Sequence, residues 1–228
     1  MDFFKKKSYR AATGAYRAVL KCDRKNETAI FYLALSLYHE QKYQKSLRCW
    51  ESLRGLNPTQ ENMHLNIGCA YQAIGRNDLA IWHFKRELVM NPASGETLYS
   101  LGTLYYNLHK FKMASNYLER CYSLKHSIEK VVDRLAWTYY KTKRHDKEVA
   151  LYNDWLRDHP NDGWCLNNMG AVLMDVGEYS RAQLFLQKAE RTRPRDKMVS
   201  RNLEKVRVNR IKARALTKNK WSGSSKQN

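Results

Sequence analysis

Apolar and polar positions along the chain follow the period of amphipathic helices. In the stretches 61–94 and 163–196, apolar or small residues recur at spacings of three, four and seven positions. This spacing places them on one face of a helix that packs against other elements. Short polar breaks such as Gly75–Asp78 and Gly177–Glu178 interrupt the pattern. The pattern therefore predicts pairs of amphipathic helices joined by short turns.

The prolines show that these helix pairs repeat along the chain. Pro58, Pro92, Pro160 and Pro194 are separated by 34, 68 and 34 residues. A fixed period between 20 and 50 residues is typical of repeat architectures. Aligning the chain on a period of 34 places each proline at repeat position 32, where it ends one helix or precedes the next. The predicted windows are 27–60, 61–94, 95–128, 129–162 and 163–196.

The five windows agree at the positions where two helices must meet. Position 8 is always small, and its residues are Ala34, Gly68, Gly102, Ala136 and Gly170. Position 24 is always large, and its residues are Trp50, Phe84, Leu118, Tyr152 and Leu186. We expect the small residues to allow a close approach and the large residues to fill the space around it. Neither helix can bury its apolar face alone, so the repeats must stack.

The pattern resembles the tetratricopeptide repeat (TPR) family, most clearly in the segments 66–92 and 168–194. The resemblance implies an all-α fold, a right-handed α-solenoid of stacked antiparallel helix pairs. It implies about five full repeats over 27–196. The flanking predictions are an N-terminal partial repeat at 1–26, a basic capping helix at 197–218 and a disordered tail at 219–228.

The resemblance also implies a concave groove lined by the first helix of each repeat. We expect this groove to bind a peptide or helical segment of a protein partner. The candidate residues are Asn66, Tyr99, Tyr106, Lys130, Arg134, Trp137, Tyr140, Trp164 and Asn168. Aromatic residues are enriched at interface hot spots, and asparagine can pair with a peptide backbone. Alternatively, each ring packs only against neighbouring helices. Lys130 and Arg134 match two of the five positions of the family's carboxylate clamp, which is too few to predict that activity.

The family pattern is broken at the end of the third window and at two positions of the fourth window. Glu148 occupies a position that is small elsewhere, Trp155 replaces a usual alanine, and His126 stands where proline is expected. An unpaired carboxylate at a helix contact is costly. We interpret this window as locally repacked, with Glu148 extending outward or meeting a lysine or arginine. The alternative is a hinge or a partner surface at 126–160.

The sequence offers no chemistry that points to an enzyme. It lacks P-loop, GxGxxG, GxSxG and HExxH motifs, and the structural positions of the repeats account for five of its glycines. We predict a non-catalytic scaffold that needs no cofactor and no metal. The five widely spaced cysteines are typical of free thiols in a reducing compartment. No secretory signal or long apolar run is present, so we predict a cytoplasmic protein.

Charge is concentrated at the two ends of the chain. The 228 residues carry 41 Lys/Arg and 22 Asp/Glu, a net charge of +19. Residues 1–26 contribute +6 and residues 195–228 contribute +9, so the repeats are nearly balanced. The basic C-terminal segment offers an alternative function in binding nucleic acid or an anionic membrane. The residues that could contact a polyanion are Arg201, Lys205, Arg207, Arg210, Lys212, Arg214, Lys218 and Lys220.

Two further alternatives concern the kind of protein partner. Some small TPR proteins serve as chaperones for translocator proteins of type III secretion, and the absence of catalytic motifs fits that class. Those chaperones are typically acidic, whereas this chain is basic. Self-association through the terminal helices is also open, because imperfectly capped repeat ends expose apolar surface.

Overall fold

A computed structural model of the chain describes residues 8–125 and 128–224. Within these residues, all the regular secondary structure is helical. The chain forms two compact units, Met1–Ser127 and Ile128–Asn228. The predicted all-α fold of stacked helix pairs is confirmed.

The first unit contains seven of the described helices. Consecutive helices pack against each other throughout this unit. They are α1 (Tyr9–Cys22), α2 (Glu27–His39), α3 (Tyr43–Leu56), α4 (Met63–Ala73), α5 (Asn77–Met90), α6 (Gly95–Asn107) and α7 (Phe111–Ser123).

The second unit contains the remaining five described helices. The last helix packs on both of the two that precede it. The five are α8 (Ile128–Lys141), α9 (His145–Asp158), α10 (Gly163–Asp175), α11 (Tyr179–Thr192) and α12 (Lys197–Ser224). The helices α2–α3, α4–α5, α6–α7, α8–α9 and α10–α11 therefore form five hairpins at the 34-residue period.

One turn geometry closes all five hairpins. Position 15 has a positive φ in every repeat, at Gln41, Gly75, His109, Lys143 and Gly177. The next residue donates its N–H to the carbonyl five residues earlier, as from Gly177's neighbour Glu178 to Leu173 at 2.8 Å. This bond is typical of a Schellman ending, for which glycine is the least strained residue. Three of the five repeats adopt the same conformation with a side chain present.

The contact between the two helices of a hairpin explains the small residues at position 8. A Cβ on Gly170 would lie 2.5 Å from Leu186 Cγ, and one on Gly102 would lie 2.8 Å from Leu118 Cγ. In both repeats the obstructing side chain is the large residue at position 24, which is fully buried. The predicted pairing of a small residue at position 8 with a large one at position 24 is therefore present in the structure.

Both terminal helices bury an apolar face, as we expected from the sequence. On α1, Ala12 is fully buried, and Tyr16 stacks on Tyr32 with ring centroids 5.6 Å apart. On α12, the inward stripe is Val199, Leu203 and Val206, each at most 3% exposed.

The end of α12 differs from the predicted boundary at residue 218. The helix extends to Ser224, and residues 225–228 lie outside the described part of the chain. The segment from Lys197 to Lys220 contains neither proline nor glycine, so no helix-breaking residue ends the helix within it.

Candidate functional site

A pocket of about 410 Å³ lies among α8, α9 and α10 in the second unit. It is built from both helices of the fourth repeat and the first helix of the fifth repeat. Its walls combine aromatic rings, carboxylates and one amide. The lining residues are Asp133, Trp137, Tyr140, Glu148, Tyr152, Trp164, Asn168, Ala171, Val172 and Asp175.

Two stacked rings from α8 form the exposed side of this pocket. Trp137 and Tyr140 have ring centroids 5.1 Å apart and are 46% and 40% exposed. The three-residue spacing places both rings on the same face of the helix. The ammonium of Lys141 lies 4.9 Å from the centroid of the Trp137 ring. These rings are a large aromatic surface that the unit itself leaves uncovered.

Two further rings form the inner side. Tyr152 on α9 is buried and meets Trp164 on α10 edge to face, with centroids 6.1 Å apart. The Tyr152 hydroxyl is hydrogen-bonded to the Asn168 side chain. Burial raises the pKa of Tyr152, so its hydroxyl stays protonated and can hold the amide in place. The predicted binding residue Asn168 therefore contacts Tyr152, which we had expected only to fill the core.

Glu148 brings a buried carboxylate to the pocket. It is 5% exposed, and its Oε2 lies 3.3 Å from His145 Nδ1, one turn earlier on α9. Burial raises the pKa of Glu148 to about 7, the His145 contact opposes this rise, and the charge of Asp175 adds to it. The expectation that Glu148 extends outward was wrong. The pocket leaves room for the longer side chain inside the unit, at a position that is filled by a small residue in the other hairpins.

Trp155 accounts for the other irregularity of the fourth repeat. It is 7% exposed, stacks on His159 with centroids 3.9 Å apart, and donates from Nε1 to Asp162 Oδ2 at 2.7 Å. The other carboxylate oxygen of Asp162 accepts the backbone N–H groups of Trp164 and Cys165. Asp162 is thus both the N-cap of α10 and the hydrogen-bond partner of Trp155. Trp155 therefore helps to hold the residue that begins α10.

Comparison with known proteins supports the repeat assignment. The sequence profile of the tetratricopeptide repeat family matches residues 95–126. The matched segment coincides with the hairpin α6–α7. Its fold is similar to YrrB, described as a TPR protein with an unusual peptide-binding site, with a TM-score of 0.67 and 16% identity over 82% of this chain and 96% of that one.

A second solved TPR structure is also similar. It is the C-terminal part of a TPR repeat-containing protein from Cytophaga hutchinsonii, with a TM-score of 0.74, 18% identity, and coverage of 83% of this chain and 76% of that one. At these identities the likeness concerns the fold.

Two curated relatives share part of the TPR sequence. The peroxisomal targeting signal receptor of Saccharomyces cerevisiae is 30% identical over 86 residues, which is 38% of this chain and 14% of the receptor. Anaphase-promoting complex subunit 3 of Schizosaccharomyces pombe is 27% identical over 84 residues, which is 37% of this chain and 13% of that subunit. The chain therefore matches only about one seventh of the length of these relatives.

The predicted TPR groove residues fall into three groups. Trp137, Tyr140, Trp164 and Asn168 lie together in the pocket. Lys130 is exposed and Arg134 is half-buried on the same helix as Trp137, but neither lines the pocket. The remaining three predicted residues belong to the first unit and are all half-buried there, namely Asn66, Tyr99 and Tyr106.

Contacts within the first unit already engage two of those three side chains. Asn66 donates from Nδ2 to the carbonyl of Asn62 at 2.9 Å. Tyr106 meets Phe111 edge to face, with centroids 5.7 Å apart. For Asn66 and Tyr106, contacts within the first unit therefore explain why these residue types occur at these positions.

A buried polar cluster in the first unit was not foreseen from the sequence. His64 Nδ1 lies 2.8 Å from His83 Nδ1, and burial lowers the pKa of His83 to about 4. Nearby, Glu87 accepts the N–H of Leu65 at 3.2 Å. Because neutral imidazole can donate at one nitrogen and accept at the other, the pair is satisfied without charge. Among the described side chains, no group of three or more His, Cys, Asp or Glu residues is placed to hold a metal ion.

The predicted polyanion-contact residues lie along α12. Arg201, Lys205, Arg207 and Lys212 are exposed. By contrast, Arg210 is half-buried and donates from Nη1 to Gln183 Oε1 at 2.6 Å. The side chains of Arg214, Lys218 and Lys220 lie outside the described part of the structure.

Two properties bear on the environment of the chain. All five cysteines are free thiols, as we expected from their spacing. Among the described helices, none is both long and apolar enough to cross a membrane.

Proposed function

We propose that the second unit binds a segment of a partner protein at the pocket among α8, α9 and α10. The observation that carries the proposal is the stacked, exposed pair Trp137 and Tyr140 beside a pocket of about 410 Å³. Exposure of such an aromatic surface to water is unfavourable, and burial of the surface by a partner stabilises the complex. Rigid rings also lose little conformational entropy on binding.

The inner wall supplies a means of holding an extended chain. Asn168 can donate to and accept from a peptide backbone, and its bond to the Tyr152 hydroxyl limits its orientation before binding. A pre-oriented polar group reduces the ordering cost of association. Aromatic contacts thus supply affinity, and the amide supplies the register of the bound segment.

The family supports a general protein-binding role. TPR proteins generally act as non-catalytic interaction scaffolds, and relatives of this chain include a targeting signal receptor and a protein with a peptide-binding site. We propose that protein binding takes place at the pocket of the second unit, and that the protein acts as an adaptor. The alternative of a translocator chaperone has no feature of the pocket in its favour.

A displayed peptide library, selected on the intact chain, tests the proposal. Selected peptides should lose most of their affinity for a Trp137→Ala variant, because the variant removes the largest exposed ring of the pocket. A matched control is Trp82→Ala, which removes a comparably exposed tryptophan (54%) from α5 in the first unit. Equal affinity for the wild type and the Trp137 variant, with unchanged helical circular dichroism, would refute the proposal.

The exposed cations of α12 support a second candidate, association with nucleic acid. Arg201, Lys205, Arg207 and Lys212 are exposed, and Glu204 is an exposed acid among them. Binding through phosphate contacts must weaken steeply with salt, by roughly a factor of a thousand for six contacts between 50 and 200 mM. Anisotropy of a labelled oligonucleotide measures this dependence, and a flat salt response would refute the candidate.

A further inference from the structure

The pocket of the second unit combines aromatic rings with negative charge. Four of its lining residues are aromatic, and three are carboxylic acids, namely Asp133, Glu148 and Asp175. The lining contains no lysine or arginine. We propose that the pocket receives the cationic side chain of an arginine or lysine from the partner segment, an inference that rests on the proposed function above.

The rings favour a cation because an aromatic face carries negative electrostatic potential. An ammonium or guanidinium within about 6 Å of a ring centroid is attracted to it, most strongly by tryptophan. The chain itself provides an example, since the Lys141 ammonium lies 4.9 Å from the Trp137 centroid and 5.9 Å from that of Tyr140. Lys141 is one helical turn from Trp137, so this contact is local to α8.

The carboxylates add charge complementarity to this attraction. Asp133 and Asp175 come from different helices and are exposed. Glu148 lies between them on α9 and is buried. An entering cation would be met by Asp133 from α8 and Asp175 from α10, beside the partly protonated Glu148 of α9. An acidic side chain would be repelled, although the net charge of +19 favours acidic partners for the chain as a whole.

A metal ion fits this arrangement less well than an organic cation. In the described part of the chain, no three His, Cys, Asp or Glu side chains converge closely enough to ligate one. Aromatic walls supply no ligands for a hard cation, which prefers several oxygen atoms at short range. A guanidinium or ammonium on an apolar stem uses both the rings and the dispersed carboxylates.

The experiment titrates the intact chain with N-acetyl-arginine methylamide and with N-acetyl-lysine methylamide. N-acetyl-norleucine methylamide is the uncharged control of similar size. The readout is the NMR shift of the indole N–H groups of Trp137 and Trp164, assigned by substitution to phenylalanine. We expect saturable shifts with one or both cationic probes and an affinity for norleucine that is roughly ten-fold weaker.

Charge variants test the cause. Asp133→Asn combined with Asp175→Asn should weaken cation binding roughly ten-fold. Both residues are exposed, so the fold should persist. Asp146→Asn is the matched control, because this exposed acid on α9 does not line the pocket. Equal loss in the control would overturn the inference.

The outcomes separate this inference from the proposed function. Absence of saturable shifts with both cationic probes, or equal binding of norleucine, overturns the cation preference. If library peptides still bind and depend on Trp137, the proposed function stands without it. If cations bind but no peptide does, the cation preference of the pocket is upheld and the proposed function is refuted.

Discussion

Replacing Glu148 with glutamine should stabilise the protein progressively as pH rises above about 4.5, with the full effect above about pH 7. Glutamine keeps the shape of the side chain and its position in the pocket wall, and it removes the titration. Because the pKa of Glu148 is raised by burial from its ordinary 4.5 to about 7, the folded state holds a proton that the unfolded state has already released. The contribution of this residue to stability is therefore full below about pH 4.5 and is lost as pH rises to about 7.

The size of the effect follows from the same difference. One pKa unit corresponds to about 1.4 kcal/mol, so the rise gives an upper bound of about 3 kcal/mol. The lost contact to His145, at 3.3 Å and partly exposed to solvent, offsets some of this gain. We therefore expect Glu148→Gln to raise the free energy of unfolding by about 1–3 kcal/mol near pH 8 and to leave it nearly unchanged near pH 4.5.

Several neighbouring groups share this electrostatic environment. His145 faces Glu148 from the same helix, Asp133 lies on α8, and Asp175 lies on α10. The Tyr152 and Cys165 pKa values are raised by burial, so both groups are neutral over the range of the experiment.

The assay is urea unfolding of the intact chain across this pH range, followed by far-ultraviolet circular dichroism and tryptophan fluorescence. Glu190→Gln is the control, since this residue is exposed on α11 and its substitution should leave the pH profile unchanged. A constant difference between Glu148→Gln and the wild type at all pH values would show that packing and not ionisation causes the effect. A loss of stability at pH 8 would refute the reasoning.

Three further predictions concern packing, turns and thiols. Gly170→Ala should destabilise the second unit by about 1–3 kcal/mol in urea unfolding, because the added Cβ meets a buried leucine at 2.5 Å. As a control, Gly14→Ala should stabilise the protein by about 1 kcal/mol, because the space around Gly14 in α1 is open. Lys143→Gly should raise the unfolding free energy by about 1 kcal/mol, because its φ of 56° strains any residue with a Cβ. In native protein a thiol reagent should label exposed Cys22 rapidly, whereas Cys121, which is buried and whose pKa burial raises to about 11, should react only on unfolding.

The repeat architecture could be predicted from the sequence because its causes are local. The helical period, the small residue at position 8 and the large residue at position 24 recur within each window of 34 residues. The structure shows the contact between those positions, as between Gly102 and Leu118. Glycines at 75 and 177 likewise marked two of the five turns. The other three turns carry Gln41, His109 or Lys143, and there the conformation follows from the hairpin and not from the residue.

The candidate site could be predicted only in part. The aromatic residues and Asn168 were identified from repeat positions that face outward from the first helices. Glu148 attracted notice as a charge at a small position, but the sequence suggested that it would extend outward. Tyr152 occupied a core position and gave no sign that its hydroxyl would hold Asn168.

By itself, then, the sequence determined the helix pairs, their period and the residues through which each pair packs, because these depend on neighbours within a few helical turns. Only the tertiary structure decided that Glu148 is buried beside His145, and that the rings of α8 and α10 enclose one pocket with the carboxylates. Burial and charge proximity are properties of three helices together. They depend on which side chains exclude water from one another, and no single helix pattern contains that information.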